Sequence, residues 1–351
     1  MVVYKFNGKD VFALRILVTG AAGFVGSNFV RRTLETRPDS DVTVVDSLTY
    51  AGRVANLDGI EKHIKFVHGD ILNSDLVDRL VPKSDLVVHF AAESHNDNSL
   101  DDSRPFIQTN INGTFNLIEA CVKHSTRFHH ISTDEVFGDL PLESEAKFTE
   151  STPYRPSSPY SASKAASDLL VRAWVRSLGL QATITNCSNN YGPYQHEEKF
   201  IPRTVLLAAR GIKPTIYGDG LNVRDWIHVD DHTDGVWAAI EKGKIGETYL
   251  LGANGELSNL EVVQIILKML SLPTTFMDFV PDRPGHDRRY AVDASKAEME
   301  LGWVPKHDNF ESSLAPVVEH YKKMLDSEAG DLTNTSNSGL SVSKKASRQR
   351  E

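Results

Sequence analysis

Short apolar runs alternate with longer amphipathic stretches through the first half of this chain, and this alternation predicts its fold. The apolar runs are rich in Val, Ile and Leu, which is typical of buried strands, and the stretches between them have helical spacing. The predicted strands cover residues 15–19, 42–46, 64–68, 86–90 and 128–132, and a sixth begins at 182–185. Helices are predicted from about Ser27, across 117–123 and from about Tyr160. This order predicts an α/β fold, a Rossmann-type doubly wound parallel sheet covered by helices on both faces.

The pattern changes after about residue 190. Glycine and proline become denser there, and helices are predicted over 259–270 and 310–324, which indicates a smaller C-terminal lobe. The last stretch is rich in Ser, Thr, Asn and charge, a composition typical of disorder. The predicted divisions are an N-terminal extension over 1–14, a Rossmann domain over 15–190, a mainly substrate-binding lobe over 191–325 and a disordered tail over 326–351.

Composition narrows the classes of partner. The formal net charge of -9 over 351 residues argues against affinity for nucleic acid backbones, and no nucleic acid partner is predicted. No apolar run approaches the ~18 residues of a membrane helix, and the first 14 residues have no apolar core of a secretory signal. Cys121 and Cys187 lie in apolar segments and are predicted to be buried and reduced. These features predict a cytoplasmic protein without a membrane partner.

A glycine-rich turn marks a dinucleotide site. The sequence Gly-Ala-Ala-Gly-Phe-Val-Gly over 20–26 follows the first predicted strand and opens a helix, where unpaired backbone N–H groups bind a pyrophosphate. Asp46 ends the second strand, 20 residues after Gly26. A carboxylate there binds both ribose hydroxyls and repels a 2'-phosphate, so the pattern favours NAD over NADP. The alternative is a fold-stabilising turn followed by an ordinary strand-end aspartate.

Two stretches that lie far apart in the chain carry the candidate chemistry. Tyr160 and Lys164 share a helix face, and a nearby ammonium favours the ionised form of a phenol whose pKa is ordinarily near ~10. Tyr160 is therefore a candidate base for oxidising a hydroxyl. Asp134 and Glu135 add two groups that transfer protons, which indicates more than a simple dehydrogenase. The alternative is that the two carboxylates cap a loop or pair with arginines.

These features resemble the extended short-chain dehydrogenase/reductase superfamily, and four further motifs resemble its dTDP-glucose 4,6-dehydratases. The similarity extends from about residue 15 to 321. Related sugar-nucleotide 4-epimerases generally lack an acidic pair after the fifth strand, so that pair is the most specific feature; Phe137 stands where many relatives have Tyr. The superfamily motifs are Ala-Ala-Glu-Ser-His over 91–95 and Asn-Asn-Tyr-Gly-Pro over 189–193. The narrower motifs are Leu-Thr-Tyr-Ala-Gly over 48–52, Ser-Thr-Asp-Glu-Val-Phe-Gly over 132–138, Arg-Asp-Trp over 224–226 and Asp-Arg-Pro-Gly-His-Asp over 282–287.

The resemblance implies a hydro-lyase that converts dTDP-glucose to dTDP-4-keto-6-deoxyglucose and water in deoxysugar biosynthesis, for example of rhamnose. It implies a reaction in three steps: oxidation at C4, elimination across C5 and C6, and return of the hydride to C6. It also implies that the protein forms a homodimer. Tyr160 would take the C4 hydroxyl proton, with Lys164 lowering its pKa and holding the nicotinamide ribose, and Thr133 would bond the C4 oxygen. Glu135 would remove the C5 proton and Asp134 would protonate the leaving C6 hydroxyl, a division that spacing alone does not decide.

The binding residues are predicted partly by chemistry and partly by resemblance. Arg224 and Arg283 are the predicted clamps of the diphosphate, because a guanidinium matches phosphate oxygens in a fork. Asp70 has the alternative role of a helix cap, and Lys199 that of a surface charge. The predicted cofactor-binding residues are Gly20, Gly23, Phe24, Val25, Gly26, Asp46, Ser47, Leu48, Thr49, Asp70, Ile71, Ala91, Ala92, Ser94, Thr109, Tyr160 and Lys164. The predicted substrate-binding residues are Ser94, Thr133, Asp134, Glu135, Asn189, Glu198, Lys199, Phe200, Arg224, Asn259, Arg283 and His286.

No metal site is predicted. His129 and His130 are adjacent in a strand and point to opposite faces, and the run Asp-Asp-His over 230–232 has the acidic start of a helix. Two other functions stay open: 4-epimerisation or dehydration of a different nucleotide sugar, and a non-catalytic NAD-binding sensor, which would not need Tyr160 or Lys164.

Overall fold

The computed structural model describes residues 4–6, 9–11 and 13–338, with side chains over 13–327. The strands are β1 Tyr4–Phe6, β2 Lys9–Val11, β3 Arg15–Thr19, β4 Asp41–Asp46, β5 Ile64–His68, β6 Leu86–His89, β7 Arg127–Thr133, β8 Ala182–Cys187, β9 Asn189–Tyr191, β10 Thr215–Tyr217, β11 Val223–His228, β12 Thr248–Leu251, β13 Glu256–Ser258 and β14 Asp278–Val280. The α-helices are α1 Phe24–Thr36, α2 Ser74–Leu80, α3 Asn96–Asp101, α4 Arg104–Phe106, α5 Thr114–His124, α6 Pro159–Leu178, α7 Phe200–Ala209, α8 Val229–Lys242, α9 Asn259–Met269, α10 Ser295–Leu301 and α11 Phe310–Ser338. A π-helix, Ile107–Gly113, precedes α5, and a 3-10 helix, Asp134–Phe137, follows β7.

Seven parallel strands form the central sheet, in the order β12-β8-β7-β6-β3-β4-β5. The chain runs outward from β3 to β5 and then returns to β6 on the other side of β3. Ligands of such sheets bind beyond the carboxyl ends of the strands at this switch point. The predicted Rossmann-type fold is confirmed, and all six predicted strands are present with ends that differ by at most two residues.

Buried residues on both faces of the sheet explain why its strands read as continuous apolar runs. In β3, Ile16 and Val18 pack into the core cluster under α1 and α8, whereas Leu17 packs into the cluster under α5 and α6. A strand with both faces covered needs apolar residues at every position.

The start of α6 is fixed by its own sequence. Ser158 accepts a hydrogen bond from the backbone N–H of Ser161, whose side chain bonds back to Ser158, and Pro159 occupies the first turn. Such caps contribute about 1 kcal/mol. They place Tyr160 in the first turn of the helix, with Lys164 one turn further along.

The predicted division at residue 190 differs from the structure, because part of the C-terminal half returns to the central sheet. Strand β12 pairs with β8, and α8 packs on α1, where the rings of Trp237 and Phe29 stack at 5.2 Å. The smaller lobe is built on α7, α9 and α11, whose shared core includes Val205, Val262 and Leu314.

Both ends of the chain differ from expectation where they are described. Strands β1 and β2, in the predicted extension, form an antiparallel pair. Helix α11 continues to Ser338, past residue 326 where the disordered tail was expected to begin. The sequence after Pro316 contains no further proline that would interrupt the helix. Residues 339–351 of the predicted tail lie outside the described part of the chain. Within the described ranges, no helix combines the length and the apolar character that crossing a membrane requires.

Candidate active site

Two positions in the glycine turn between β3 and α1 have no room for a side chain. Gly20 has a φ of +70°, and a Cβ added to it would lie 2.5 Å from the backbone nitrogen of Ala91. A Cβ on Gly26 would overlap the carbonyl oxygen of Gly20. The turn thus leaves the N-terminus of α1 open toward the first cavity, which lies at the switch point of the sheet.

Asp46 is held at the end of β4 by two backbone amides. Its carboxylate oxygens accept hydrogen bonds of 2.8 Å each from the N–H groups of Ala22 and Leu48. Burial raises the pKa of Asp46, and the two amides oppose that effect. Because each oxygen keeps a second lone pair, the group fits a ribose with two free hydroxyls, and therefore NAD.

The first cavity brings together the predicted cofactor residues, with one exception. Leu48 does not line this cavity; its side chain packs against the core, and its contribution is the amide that holds Asp46. Leu48 was predicted to bind the cofactor together with the residues beside it in the chain. Its backbone has a positive φ of 52°, and its side chain does not face the cavity. The lining includes Gly20, Gly23, Phe24, Val25, Gly26, Asp46, Ser47, Thr49, Asp70, Ile71, Ala91, Ala92, Ser94, Thr109, Tyr160 and Lys164.

The candidate catalytic residues line the same cavity and come from two elements. The end of β7 and the 3-10 helix after it deliver Thr133, Asp134 and Glu135, and the start of α6 delivers Tyr160 and Lys164. The hydroxyl of Thr133 accepts a hydrogen bond from the N–H of Glu135 and donates one to the Oδ1 atom of Asp134 at 3.2 Å. Residues separated along the chain by an entire loop therefore meet around one space.

The predicted lowering of the Tyr160 pKa is wrong for the residues of this structure taken alone. Burial raises the pKa of Tyr160 well above its usual value, and the carboxylate of Glu135 raises it further. Lys164 is itself buried, which lowers its pKa, and its ammonium donates to the carbonyl oxygen of Ile131 at 2.8 Å. Further positive charge beside the phenol is needed to favour its ionised form, and an oxidised nicotinamide carries such a charge.

Asp134 and Glu135 are adjacent but have different surroundings. Burial raises the pKa of Asp134 well above its usual value, and the charges of Glu135 and Asp225 raise it further. The Oδ2 atom of Asp134 has no hydrogen-bond partner among the described residues. Burial therefore favours the protonated form of Asp134, and its Oδ2 atom is free for a ligand.

Glu135 lies among hydrogen-bond donors and cations. Asn96 donates to its carboxylate at 2.6 Å. Burial raises the pKa of Glu135, but Asn96, Arg224, Arg283 and Lys199 all oppose this increase. Glu135 therefore has the surroundings of a carboxylate that works as a base.

A second cavity adjoins the first, and it is where the predicted substrate residues meet. The two cavities share Ser94, Glu135, Asn189 and Lys199, so Glu135 stands at their junction. Thr133 and Asp134 face the first cavity only. The second cavity is also lined by Glu198, Phe200, Arg224, Asn259, Arg283 and His286.

The two predicted clamps keep donors for a diphosphate. Arg224 is buried, donates to the carbonyl oxygens of Val223 and Asp287, and stacks on the ring of Tyr290 with its guanidinium carbon 4.2 Å from the centroid. These two bonds use two of its five N–H groups. Arg283 lies 3.4 Å from a carboxylate oxygen of Asp97.

Several residues of the second cavity escaped sequence reasoning. Arg203 adds a further cation, and its position four residues after Lys199 on α7 was the signal that could have found it. Asn96 and Tyr290 gave no such signal, because their roles depend on contacts with residues that are distant in the chain. Tyr217 and Trp226 also line this cavity.

The described residues contain one group with the composition of a metal site, His228, Asp230 and His307, with ligand atoms within 4.8 Å of one another. The rings of His228 and His307 stack at 4.0 Å and 23°, and the Nδ1 atom of His228 accepts a hydrogen bond from the backbone N–H of Asp230. Asp230 lies in the first turn of α8, as predicted for a helix start.

Known proteins resemble this chain in both sequence and fold. Residues 17–314 match the sequence family described as GDP-mannose 4,6 dehydratase. A dTDP-glucose 4,6-dehydratase of Mycobacterium tuberculosis is 55% identical over 309 residues, covering 88% of this chain and 93% of that protein. The structure of a dTDP-glucose 4,6-dehydratase from Streptomyces venezuelae with NAD bound is 45% identical, with a TM-score of 0.85 over 88% of this chain and 97% of that one. A UDP-glucose 4-epimerase from Thermotoga maritima is 28% identical, with a TM-score of 0.82 over 89% of this chain and 100% of that one.

Proposed function

This chain belongs to the family of dTDP-glucose 4,6-dehydratases, and we propose that it converts dTDP-glucose to dTDP-4-keto-6-deoxyglucose and water. One observation supports this most strongly: two carboxyl groups with different surroundings, Asp134 and Glu135, line the first cavity together with Tyr160, and Glu135 also faces the second. Since a 4-epimerase has the same fold, the fold does not distinguish the two reactions, and these side chains do.

The first chemical step is oxidation at C4 of the glucose. NAD, when bound, supplies the acceptor of the C4 hydride, later gives it back at C6, and brings a positive charge close to Tyr160. Tyr160 takes the proton of the C4 hydroxyl, and Thr133 hydrogen-bonds the C4 oxygen. Lys164 supplies positive charge behind Tyr160 and donates hydrogen bonds to the nicotinamide ribose.

The second step removes water across C5 and C6. A ketone at C4 makes the neighbouring C5–H acidic, so Glu135 can remove that proton. Asp134, whose protonated form is favoured by burial, gives its proton to the leaving C6 hydroxyl. Each proton-transfer group typically contributes ~10²–10⁴ in rate. In the second cavity, Arg224 and Arg283 bind the diphosphate, and Asn189, with an unpartnered Oδ1, binds the sugar.

The test is incubation of the purified protein with dTDP-glucose. We expect a 4-keto-6-deoxy product, detected by its absorbance in alkali, with no net accumulation of NADH because the hydride is returned. Parallel incubations with UDP-glucose and GDP-mannose measure the choice of base and sugar. Formation of a C4 epimer, steady NADH release without loss of water, or preference for another nucleotide sugar would contradict the proposal.

A homodimer in the cytoplasm is the further part of this proposal. Large apolar side chains remain 41–55% exposed on one side of the sheet: Ile107 of the π-helix, Phe115 of α5 and Leu169 of α6. An edge contact at 5.9 Å between Phe115 and Trp174 joins α5 to α6, so the two helices offer one surface. Light scattering should give twice the chain mass, and Leu169→Glu should give a monomer; a monomeric wild-type protein would contradict the dimer.

A further inference from the structure

A buried carboxylate lies directly behind the candidate catalytic pair and touches neither cavity. Asp168 follows Lys164 by one turn of α6 and has no solvent exposure. We propose that Asp168 is a positioning residue for the oxidation step, whose fixed negative charge keeps Lys164 protonated and so keeps Tyr160 competent as a base. This inference rests on the proposed function, because it assigns a role to Asp168 in that same site.

The carboxylate is fixed by donors from three parts of the chain. Its Oδ2 accepts from the hydroxyls of Ser132 on β7 and Tyr154 in the loop before α6, both at 2.8 Å, and from the side-chain amide of Asn186 on β8 at 3.2 Å. The Nε2 atom of His130 on β7 lies 3.1 Å from Oδ1. An isolated buried charge is strongly unfavourable, and so many donors keep Asp168 ionised despite its burial. Consistent with this, these contacts hold the pKa of Asp168 below its usual value.

The hydrogen-bond donors around Asp168 are uncharged, so they do not balance its negative charge. Burial lowers the pKa of His130 to about 4, so this ring is uncharged at neutral pH. His89, next to His130 on β6, has its pKa lowered by burial in the same way. Arg172 reaches the carboxylate only through the Tyr154 hydroxyl, to which it donates at 2.9 Å. Lys164, one turn earlier on α6, is a buried cation whose charge acts on this carboxylate.

Lys164 needs such a counter-charge. Its burial lowers its pKa, and the negative charge of Asp168 is the largest opposing influence. The thiol of Cys187, the other titratable group that acts on Lys164, is also buried, which raises its pKa to about 12 and keeps it neutral. The ammonium makes its hydrogen bond to Ile131 and not to Asp168, so the carboxylate acts through space, which a buried, weakly polarisable environment favours.

Removing the charge of Asp168 should therefore disfavour both the protonated form of Lys164 and the ionised form of Tyr160. In Asp168→Asn, Lys164 should lose its proton at a lower pH, which moves the alkaline limb of the rate profile down. Tyr160, with less positive charge beside it, should ionise at a higher pH, which moves the acid limb up. The pH range of activity narrows from both sides, with each limb moving by about one unit and kcat falling about tenfold at the optimum.

The decisive readout is the ionisation of Tyr160 itself, measured by ultraviolet titration of tyrosinate with the Tyr160→Phe protein subtracted. Asp168→Asn should raise the pKa of Tyr160 relative to wild type. Tyr154→Phe is the matched control, since it removes one hydrogen bond from the same carboxylate but leaves the charge, and it should move neither limb by more than a few tenths of a unit. If Asp168 only held strands together, Asp168→Asn would lower the melting temperature and leave both limbs and the titration unchanged.

If the Asp168→Asn protein does not fold, a second variant tests the same inference. Ser132→Ala combined with Tyr154→Phe removes two donors, which raises the pKa of Asp168 and neutralises it at mildly acidic pH. The acid limb of kcat should then move up, and an unmoved limb would overturn the inference. The proposed function fails separately: in that case the wild-type protein forms no 4-keto product, whereas failure of this inference alone leaves wild-type turnover intact.

Discussion

At the scale of single residues, neighbours decide what two adjacent carboxylates do. Asp134 is buried beside negative charge, whereas Glu135 is buried beside an amide and three cations. The sequence identified the acidic pair but not its division of labour, because the cations that surround Glu135 come from α7, β11 and the segment after β14. No spacing rule connects positions that are about 60 to 150 residues apart along the chain.

The division predicts different defects for the two conservative substitutions. Asp134→Asn should keep C4 oxidation and lose protonation of the leaving hydroxyl, so that bound NADH accumulates in a single turnover. Glu135→Gln should also allow oxidation but should abolish exchange of the C5 hydrogen with deuterated water. Both should lower kcat by about 10²–10⁴. A protein that keeps full turnover in both variants would contradict the elimination mechanism.

The same burial that prepares the site affects stability. Burial raises the pKa of Asp225 from 3.8 to about 6, although the N–H groups of Ala253 and Gly255 oppose the shift. Between pH 4 and 6 the folded protein therefore binds a proton that the unfolded chain does not, so the free energy of unfolding rises as the pH falls through that range. Above this range, the ionised Asp225 lowers the free energy of unfolding by about 3 kcal/mol.

Urea unfolding between pH 7 and 4 tests this. The free energy of unfolding of Asp225→Asn relative to wild type should be highest at pH 7 and should fall as the pH falls. A difference between the two proteins that does not vary with pH would show that Asp225 does not titrate in this range.

At the scale of elements, two loops close the cofactor cavity from opposite sides. Arg53, after β4, lies 2.9 Å from Glu197, before α7, and also 3.3 Å from His196, and both loops line the first cavity. A reaction that returns its hydride has no need to release NAD, so these contacts suit a retained cofactor.

Arg53→Ala and Glu197→Ala should each speed the loss of NAD. Exposed ion pairs contribute about 0.2–1 kcal/mol, so the dissociation rate should rise by up to about fivefold. The measurement is the NAD content of the protein after repeated gel filtration. Lys65→Ala is the control, because it breaks another exposed pair, with Asp41, away from the cavity; equal NAD loss in all three variants would contradict the role of the loops.

The elements differ in how well the sequence predicted them. Strands β3 and β5 have their predicted bounds; β3 does so because a buried parallel strand is a continuous apolar run between turn residues. Strand β12 was missed: its four residues, Thr248–Leu251, are too few to stand out from the segments around them. Helix α1 begins at Phe24, earlier than predicted, because the turn that binds phosphate is also its first turn.

At the scale of the whole molecule, the site exists only where the two halves meet. The Rossmann half supplies Tyr160, Lys164 and the acidic pair, and the smaller lobe supplies the cations of the second cavity. Local patterns predicted the first half well, since its motifs follow strand ends. In the second half they predicted the helices α9 and α11 but not Tyr290, which reaches the cavity through packing that no local pattern encodes.

The central claim is that one hydrogen leaves C4 and the same hydrogen arrives at C6. The most direct measurement uses dTDP-glucose labelled with deuterium at C4, with mass spectrometry and NMR of the product. The proposed function predicts that the deuterium appears in the C6 methyl group of the 4-keto product, while C5 gains hydrogen from solvent. Deuterium that remains at C4 of an epimer, or that is lost from the product, would contradict it.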